Sequence, residues 1–381
     1  GSSSRPTTPL RPATRTSRAP WQGGRVRYVV VGAGAIGGTI AARLAQHSPT
    51  RPPLVVARGA HADAIERSGL RLRSPDDDVT VRVDLARTPA EARLRTDDVL
   101  VLATKTHQAT AALQAWVDAP VHPADDAPDA APVGTAGELL PVVTTTNGVA
   151  AERMALRLFR RVVGACVWLP ATHLDPGEVA VRIAPQSGTF ILGSYPPGPP
   201  PDDVAPVLDA LTRDWTAATF GIHVVDDVMR WKHRKLLQNL ANALQALLGA
   251  DGAIGPIGPL ASRLVAEAED VYLASGITWA TEAEEDAWRG TVFDVRPVPG
   301  LPGVVGGSSW QSVARGDGSI ETDYLNGEIV LLARLAGVDA PLNAAVQRLA
   351  RQAAVARRPP GSTSVDELVR ALDRAEAGAG R

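Results

Sequence analysis

Only three of the 39 basic residues in this 381-residue chain are lysine: Lys105, Lys232 and Lys235. Arginine effectively never gives up its proton, whereas lysine is a compact, rotatable donor that can. A chain so biased toward arginine is expected to keep lysine where arginine cannot serve. Lys235 lies in Trp231–Gly249, WKHRKLLQNLANALQALLG, whose apolar spacing predicts a helix. Asn239 is four residues further on, so it shares a face with Lys235, and Asn242 falls near that face. Asparagine is a mediocre helix former and costs free energy when buried without partners. A Lys/Asn stripe on an apolar helix therefore reads as the wall of a polar cleft, although solvated faces of amphipathic helices are common. Lys232 reads as a surface lysine.

A second constellation sits in Tyr28–Ala41, YVVVGAGAIGGTIA. Gly32, Gly34 and Gly37 match G-x-G-x-x-G between a β-branched strand and a helix, with Ala33, Ala35 and Ile36 completing the loop. The first glycine permits a tight turn, the second a close approach of backbone to pyrophosphate, the third close packing of helix on strand. The helix N-terminus then offers unpaired N–H groups to phosphate. About twenty residues on, an acid would bind the ribose of NAD. Here the second strand ends LVVAR, and no Asp or Glu lies between Gly37 and Arg58. Arg58 suits a 2′-phosphate, so the expected cofactor is NADPH. Lys105 and Asn147 follow the strands VLVLAT and PVVTTT. That places both at carboxyl ends, where doubly wound sheets hold their ligands. Asn147-Gly148 is equally an ordinary turn dipeptide on local evidence.

The elements that must carry these residues define an α/β fold. Strands are expected at 26–31, 54–57, 79–83, 99–104 and 141–146, with helices at 36–46, 60–68, 107–117 and 149–160. This alternation predicts a Rossmann-type doubly wound parallel sheet. VVGACVWL, EVAVRI and TFILGSY should extend it in antiparallel fashion, followed by helix 203–218 and strand 222–225. From Asp227 the pattern is helical, over 227–248, 259–275, 279–289, 308–315, 320–336 and 342–356. The expected organisation is a disordered segment 1–24, a cofactor domain 25–226 with a flexible insertion at 119–138, an all-α substrate and catalytic domain 227–357, and a tail 358–381. One amphipathic helix (364–376) in that tail either docks or stays separate.

Composition closes several classes. A net charge of −2 and a pI near 6.4 provide no basic field for nucleic acid or an acidic membrane surface. No apolar run approaches a membrane span. Cys166 is the only cysteine, so no disulfide framework exists and a reducing, cytoplasmic setting is expected. The seven histidines form no metal-ligand spacing and no G-x-S-x-G elbow is present, so neither metal nor serine-nucleophile chemistry is expected.

Taken in order, G-A-G-A-I-G-G at 32–38, Arg58, Lys105, Asn147-Gly148, W-K-x-x-K-L-L-x-N at 231–239, S-S-W at 308–310 and E-T-D-Y-L-N-G at 321–327 resemble the ketopantoate reductases. The resemblance spans roughly residues 25–355. It implies a Rossmann domain, a helical domain, a cleft between them, and NADPH-dependent reduction of the 2-oxo acid 2-dehydropantoate to (R)-pantoate. By motif it makes Lys235 the catalytic lysine and Glu321 its acidic partner, with Asn239 and Ser309 contacting substrate and Lys105 and Asn147 near cofactor and substrate. Read bare, Ser309 is an N-cap and Glu321 a first-turn acid. The family's second substrate asparagine falls on Ala243 here. Asn242 is one residue early, about 100° round a helix. The family's S-S-M is S-S-W, placing Trp310 near the pocket. A different 2-oxo acid or imine as substrate, or an NADPH-binding sensor without turnover, are the rival readings. A homodimer is left open.

Overall fold

The computed structural model describes residues 26–124, 130–249, 257–289, 294–302, 306–314, 316 and 320–379. The segment 1–24, expected to be disordered, lies outside the described residues. Runs of β-branched residues form six parallel strands, buried on nearly every residue where they are central. In chain order they are Arg27–Val31, Leu54–Val56, Asp84–Ala86, Asp98–Leu102, Pro141–Thr144 and Arg161–Trp168. Numbered that way, they stand in the order 3-2-1-4-5-6. This is the Rossmann order, and it puts the topological switch between the first and fourth strands. Gly188–Tyr195 then joins antiparallel, and Phe220–Val224 lies parallel to it at the edge.

Four expectations need correction. VVGACVWL does not join in antiparallel fashion: Arg161–Trp168 pairs parallel with Pro141–Thr144 and is the sixth strand of the parallel set. The third strand is Asp84–Ala86, not 79–83. Asp78–Val81 instead pairs with Leu70–Arg73 in a separate four-stranded sheet, where its alternating pattern leaves one face to solvent. EVAVRI does not extend the main sheet either: Glu178–Val181 joins that smaller sheet beside Ala171–His173. The smaller sheet covers the helix Ala35–His47, which is why Gly37 through Ala45 are all buried. A Cβ at Gly38 would come 2.8 Å from Val179. Finally, the flanks of the 119–138 insertion are ordered, as the strands Pro120–His122 and Gly134–Thr135 and the turn of helix Ala136–Leu139. Its residues 125–129 lie outside the described ones.

From Val228 onward the chain is helical, around a core that includes Leu236, Leu244, Leu264, Tyr272, Ile329 and Val346. The expected helix 227–248 breaks at Leu240 into Val228–Asn239 and Ala241–Leu248. At the break, the Leu240 carbonyl accepts a hydrogen bond from Asn326 Nδ2 at 3.4 Å. The expected helix 320–336 likewise opens as one 3₁₀ turn, Glu321–Tyr324, before Asn326–Ala336. The last helix, Val365–Ala379, docks through Leu368 and Leu372. The two halves meet closely at Val228. A Cβ on Gly164 or Gly193 would come within 2.8 and 3.0 Å of its side chain.

Candidate active site

Between the carboxyl ends of the parallel strands and the helix Val228–Asn239 lies a cleft of about 430 Å³. Its floor is the glycine loop. Gly32 has φ +104°, and a Cβ there would press on the Ala103 carbonyl at 3.0 Å. A Cβ on Gly37 would sit 1.9 Å from the Gly32 carbonyl, so only glycine lets this helix leave this strand. Gly34 differs: nothing lies within 4 Å of its missing Cβ, and with Ala35 and Ile36 it faces the cleft. Ala33 turns inward and is buried. The helix that starts here has no capping side chain and no acid in its first turn, so its N–H groups are available to an anion.

Around this floor the polar side chains converge. Lys105 immediately precedes the helix Thr106–Val117, and its Nζ donates to Ser312 Oγ at 2.6 Å across the two halves. Asn147 Oδ1 accepts from Lys235 Nζ at 3.0 Å. Lys235 also donates to the Val167 carbonyl and lies 5.9 Å from the Trp168 ring centroid. Gly148 needs its φ of +72°, and a Cβ there would strike the Tyr324 carbonyl at 2.8 Å. The Asn-Gly pair is therefore more than a surface turn, because the helical half closes on it. Asn239 is 9% exposed and lines the cleft, its Nδ2 without a partner among the described residues. Glu321 lines it too, and its Oε1 accepts from the Thr106 N–H at 2.9 Å and the Thr106 hydroxyl at 3.0 Å.

Asn242 also lines the cleft, whereas Ala243 is packed in the helical core. Asn242 is three residues past Asn239, close enough in angle to share its face, and Leu240 between them keeps helical dihedrals. Ser309 is not on the cleft wall: it is 2% exposed, with its hydroxyl unpartnered among the described residues. Gly306, Gly307 and Gln311 form that part of the wall. Arg58 stands exposed at the N-terminus of helix Gly59–Ser68, just past the second strand.

Lys232 is the clearest departure from the sequence reading. It is 3% exposed, paired with the fully buried Glu152, and donates to the Thr146 carbonyl at 3.2 Å. Glu152 also accepts from the Thr144 hydroxyl at 2.6 Å, so this buried ion pair braces the strand end that carries Asn147. The sequence also gave no warning of His61 and His173. His61 Nδ1 accepts the Gly177 N–H at 2.8 Å, which leaves Nε2–H to donate to the Ala33 carbonyl at 2.8 Å, under the glycine loop. Burial lowers the His61 pKa and favours this neutral form. Arg182, equally unmarked in the sequence, lines the cleft. Cys166 is no nucleophile, since burial pushes its thiol up to about 12. A second depression, about 400 Å³ behind the helix Ala35–His47, has its one arginine, Arg43, already bound to Asp77 and Ser187.

Residues 28–197 match the family Ketopantoate reductase PanE/ApbA, and residues 227–354 match its C-terminal counterpart. The chain belongs to the ketopantoate reductase family. It is therefore an NAD(P)H-dependent oxidoreductase of 2-oxo acids, with NADPH as cofactor. Among ketopantoate reductases it is 25% identical to the 2-dehydropantoate 2-reductase of Pyrococcus horikoshii, across 84% of this chain and 94% of that one. It is 34% identical to that of Mesorhizobium japonicum, across 45% of each chain. A solved PanE/ApbA family ketopantoate reductase from Ralstonia eutropha superposes with a TM-score of 0.66 at 23% identity, covering 87% of this chain and 99% of that one. D-mandelate dehydrogenase with NADH and anilino(oxo)acetate superposes at 0.68 and 18% identity, over 87% and 99%, a likeness of fold alone. The residues present fit a dinucleotide. The open space over Gly34 would be filled by a Cβ, and the uncapped helix N-terminus faces it.

Proposed function

We propose that the protein reduces 2-dehydropantoate to (R)-pantoate, with Lys235 as the general acid. The observation that carries this reading is convergence. Lys235, Asn147 and Asn239 come from opposite halves of the chain, yet reach one cleft beside Gly34. NADPH, held by the Gly32–Gly37 loop with Arg58 at its 2′-phosphate, supplies the hydride. The Lys235 ammonium stabilises the charge that develops on the ketone oxygen and then donates its proton there. Asn147 and the Val167 carbonyl fix the direction of that ammonium. Asn239 offers its unpaired Nδ2 to the substrate, and Asn242 stands further along the same wall. Glu321 acts on the site through Thr106, because it holds the N-terminus of the helix that Lys105 precedes. Lys105 bridges the halves at the cofactor side. Ser309 has no direct part in this reading.

The test is NADPH oxidation with 2-dehydropantoate beside simpler 2-oxo acids. Preferred turnover of 2-dehydropantoate supports the reading, and preference for another 2-oxo acid replaces the substrate while keeping the reaction. Absence of turnover with every 2-oxo acid would leave only the sensor reading.

A further inference from the structure

Arg182 follows the strand Glu178–Val181, and its backbone N–H donates to the Pro170 carbonyl at 2.9 Å. Alternation along this segment decides where its side chain goes. Val179, Val181 and Ile183 point into the main core, so Ala180 and Arg182 point the other way, and Arg182 lines the cleft. The residue is 8% exposed. Among the described residues none of its three guanidinium nitrogens has a hydrogen-bond partner, and it is the only buried guanidinium there of which that is true. Burial alone pulls its pKa down, with no carboxylate raising it. Taking a guanidinium out of water without a partner is strongly unfavourable. The chain's other well-buried arginines show the usual solution: Arg43 is paired with Asp77, and Arg161 with Asp203.

Position within the hairpin says which anion is missing. His173 lies at the glycine-loop end, against His61 at 3.1 Å. Pro170, beside Arg182, is three residues back along the chain, about 10 Å in extended backbone. That is toward Val167, whose carbonyl accepts from Lys235. Arg182 thus stands at the lysine end of the cleft, away from the loop that faces phosphate.

We infer that Arg182 is the carboxylate anchor of the substrate site. Its planar fork takes the carboxylate of a 2-oxo acid through two parallel hydrogen bonds, while the ketone oxygen turns to Lys235. This rests on the reading above that the substrate is a 2-oxo acid. Arg182 then sets specificity as well as affinity. A neutral ketone or amide of the same shape would leave the buried cation unpaired and be rejected.

The experiment uses the full-length protein and the variants R182M and R182K. Binding of oxamate, an unreactive 2-oxo acid analogue, to the NADPH complex is followed by nicotinamide fluorescence. R182M is expected to weaken oxamate by about 100-fold while NADPH affinity changes less than about threefold. R182K should recover only part of the loss, since an ammonium cannot reproduce the fork. The ratio of kcat/KM for a 2-oxo acid over its amide should collapse in R182M. The ligand-free R182M protein should melt at or above the wild-type temperature, because an uncompensated cation has been removed. Unchanged oxamate affinity in R182M would overturn the inference. So would an equal loss of NADPH affinity, which marks a phosphate contact, or a lowered melting temperature with both ligands lost, which marks a structural arginine. A wild-type protein that binds oxamate but reduces no 2-oxo acid would sink the proposed reaction while leaving the oxamate comparison to decide Arg182.

Discussion

Single residues in this site divide by what their partners are. Lys232 and Glu152 are buried against each other, so neither acts on a ligand. Glu152→Ala strands a buried ammonium and is expected to cost about 3–5 kcal/mol in denaturant unfolding. The double variant Lys232→Met with Glu152→Leu should recover most of that loss. If the double variant is no more stable than the single one, the pair is not what the cost reports. The scarcity of lysine drew attention to Lys105 and Lys235, which both line the cleft, while Lys232, read as a surface residue, lies buried directly behind it. What it could not reveal was that Lys232 meets Glu152, eighty residues away in the chain. Arg58 is the opposite case, an exposed side chain at the end of the second strand. Arg58→Ala should weaken NADPH by about 10-fold or more and NADH hardly at all, as loss of a charge-assisted phosphate contact requires. Equal weakening of both, measured by titration, would remove Arg58 from the 2′-phosphate.

At the scale of elements, the glycine loop was legible because each glycine has a separate geometric cause. Gly34→Ala should leave the melting temperature nearly unchanged while NADPH binding falls, because its Cβ meets only cleft. Gly37→Ala should destabilise the fold by several kcal/mol, since its Cβ would overlap the Gly32 carbonyl. Similar Tm losses in the two would contradict that assignment. The helix Val228–Asn239 carries a pH dependence. Burial holds the His233 imidazole down at about 4 against an ordinary 6.5, with Asp227 pulling it up and Lys232 pushing it down, and its ring meets Tyr272 at 5.1 Å. The unfolded chain takes up a proton below pH 6.5, whereas the folded one resists until about 4. Its contribution is therefore complete above pH 6.5 and declines by at most about 3 kcal/mol as pH falls to 4. His233→Gln should flatten unfolding free energy over that window, and an unaltered slope would show that another group is responsible. Periodicity located this helix and the next one but not the break at Leu240. At that junction the Leu240 carbonyl accepts from Asn326, a partner supplied by a distant segment, and Asn239 and Asn242 on either side both line the cleft.

For the whole molecule, function depends on how a parallel sheet and a helical half close on one another. Val228 seated against Gly164 and Gly193, Gly148 under Tyr324, Lys105 on Ser312 and Glu321 on Thr106 are the contacts that fix that closure. Most of the parallel sheet could be read from strand and helix alternation, because buried parallel strands are unbroken apolar runs. The four-stranded sheet could not: its two hairpins come from 70–81 and 171–181, about ninety residues apart, and nothing local says that Leu70–Arg73 pairs with Glu178–Val181. Arg182 escaped for the same reason: it directly follows a strand of that sheet, and only the fold shows that it reaches the cleft without a counter-ion among the described residues. On the proposed reading, this closure brings the Lys235 ammonium to a ketone beside the reduced nicotinamide. Steady-state NADPH oxidation with 2-dehydropantoate, run for wild type and Lys235→Ala with NADPH affinity measured alongside, tests it most directly. If Lys235 is the general acid, kcat falls by about 10²–10⁴ in the variant while NADPH affinity stays nearly unchanged. Wild-type turnover in the Lys235→Ala protein would contradict it.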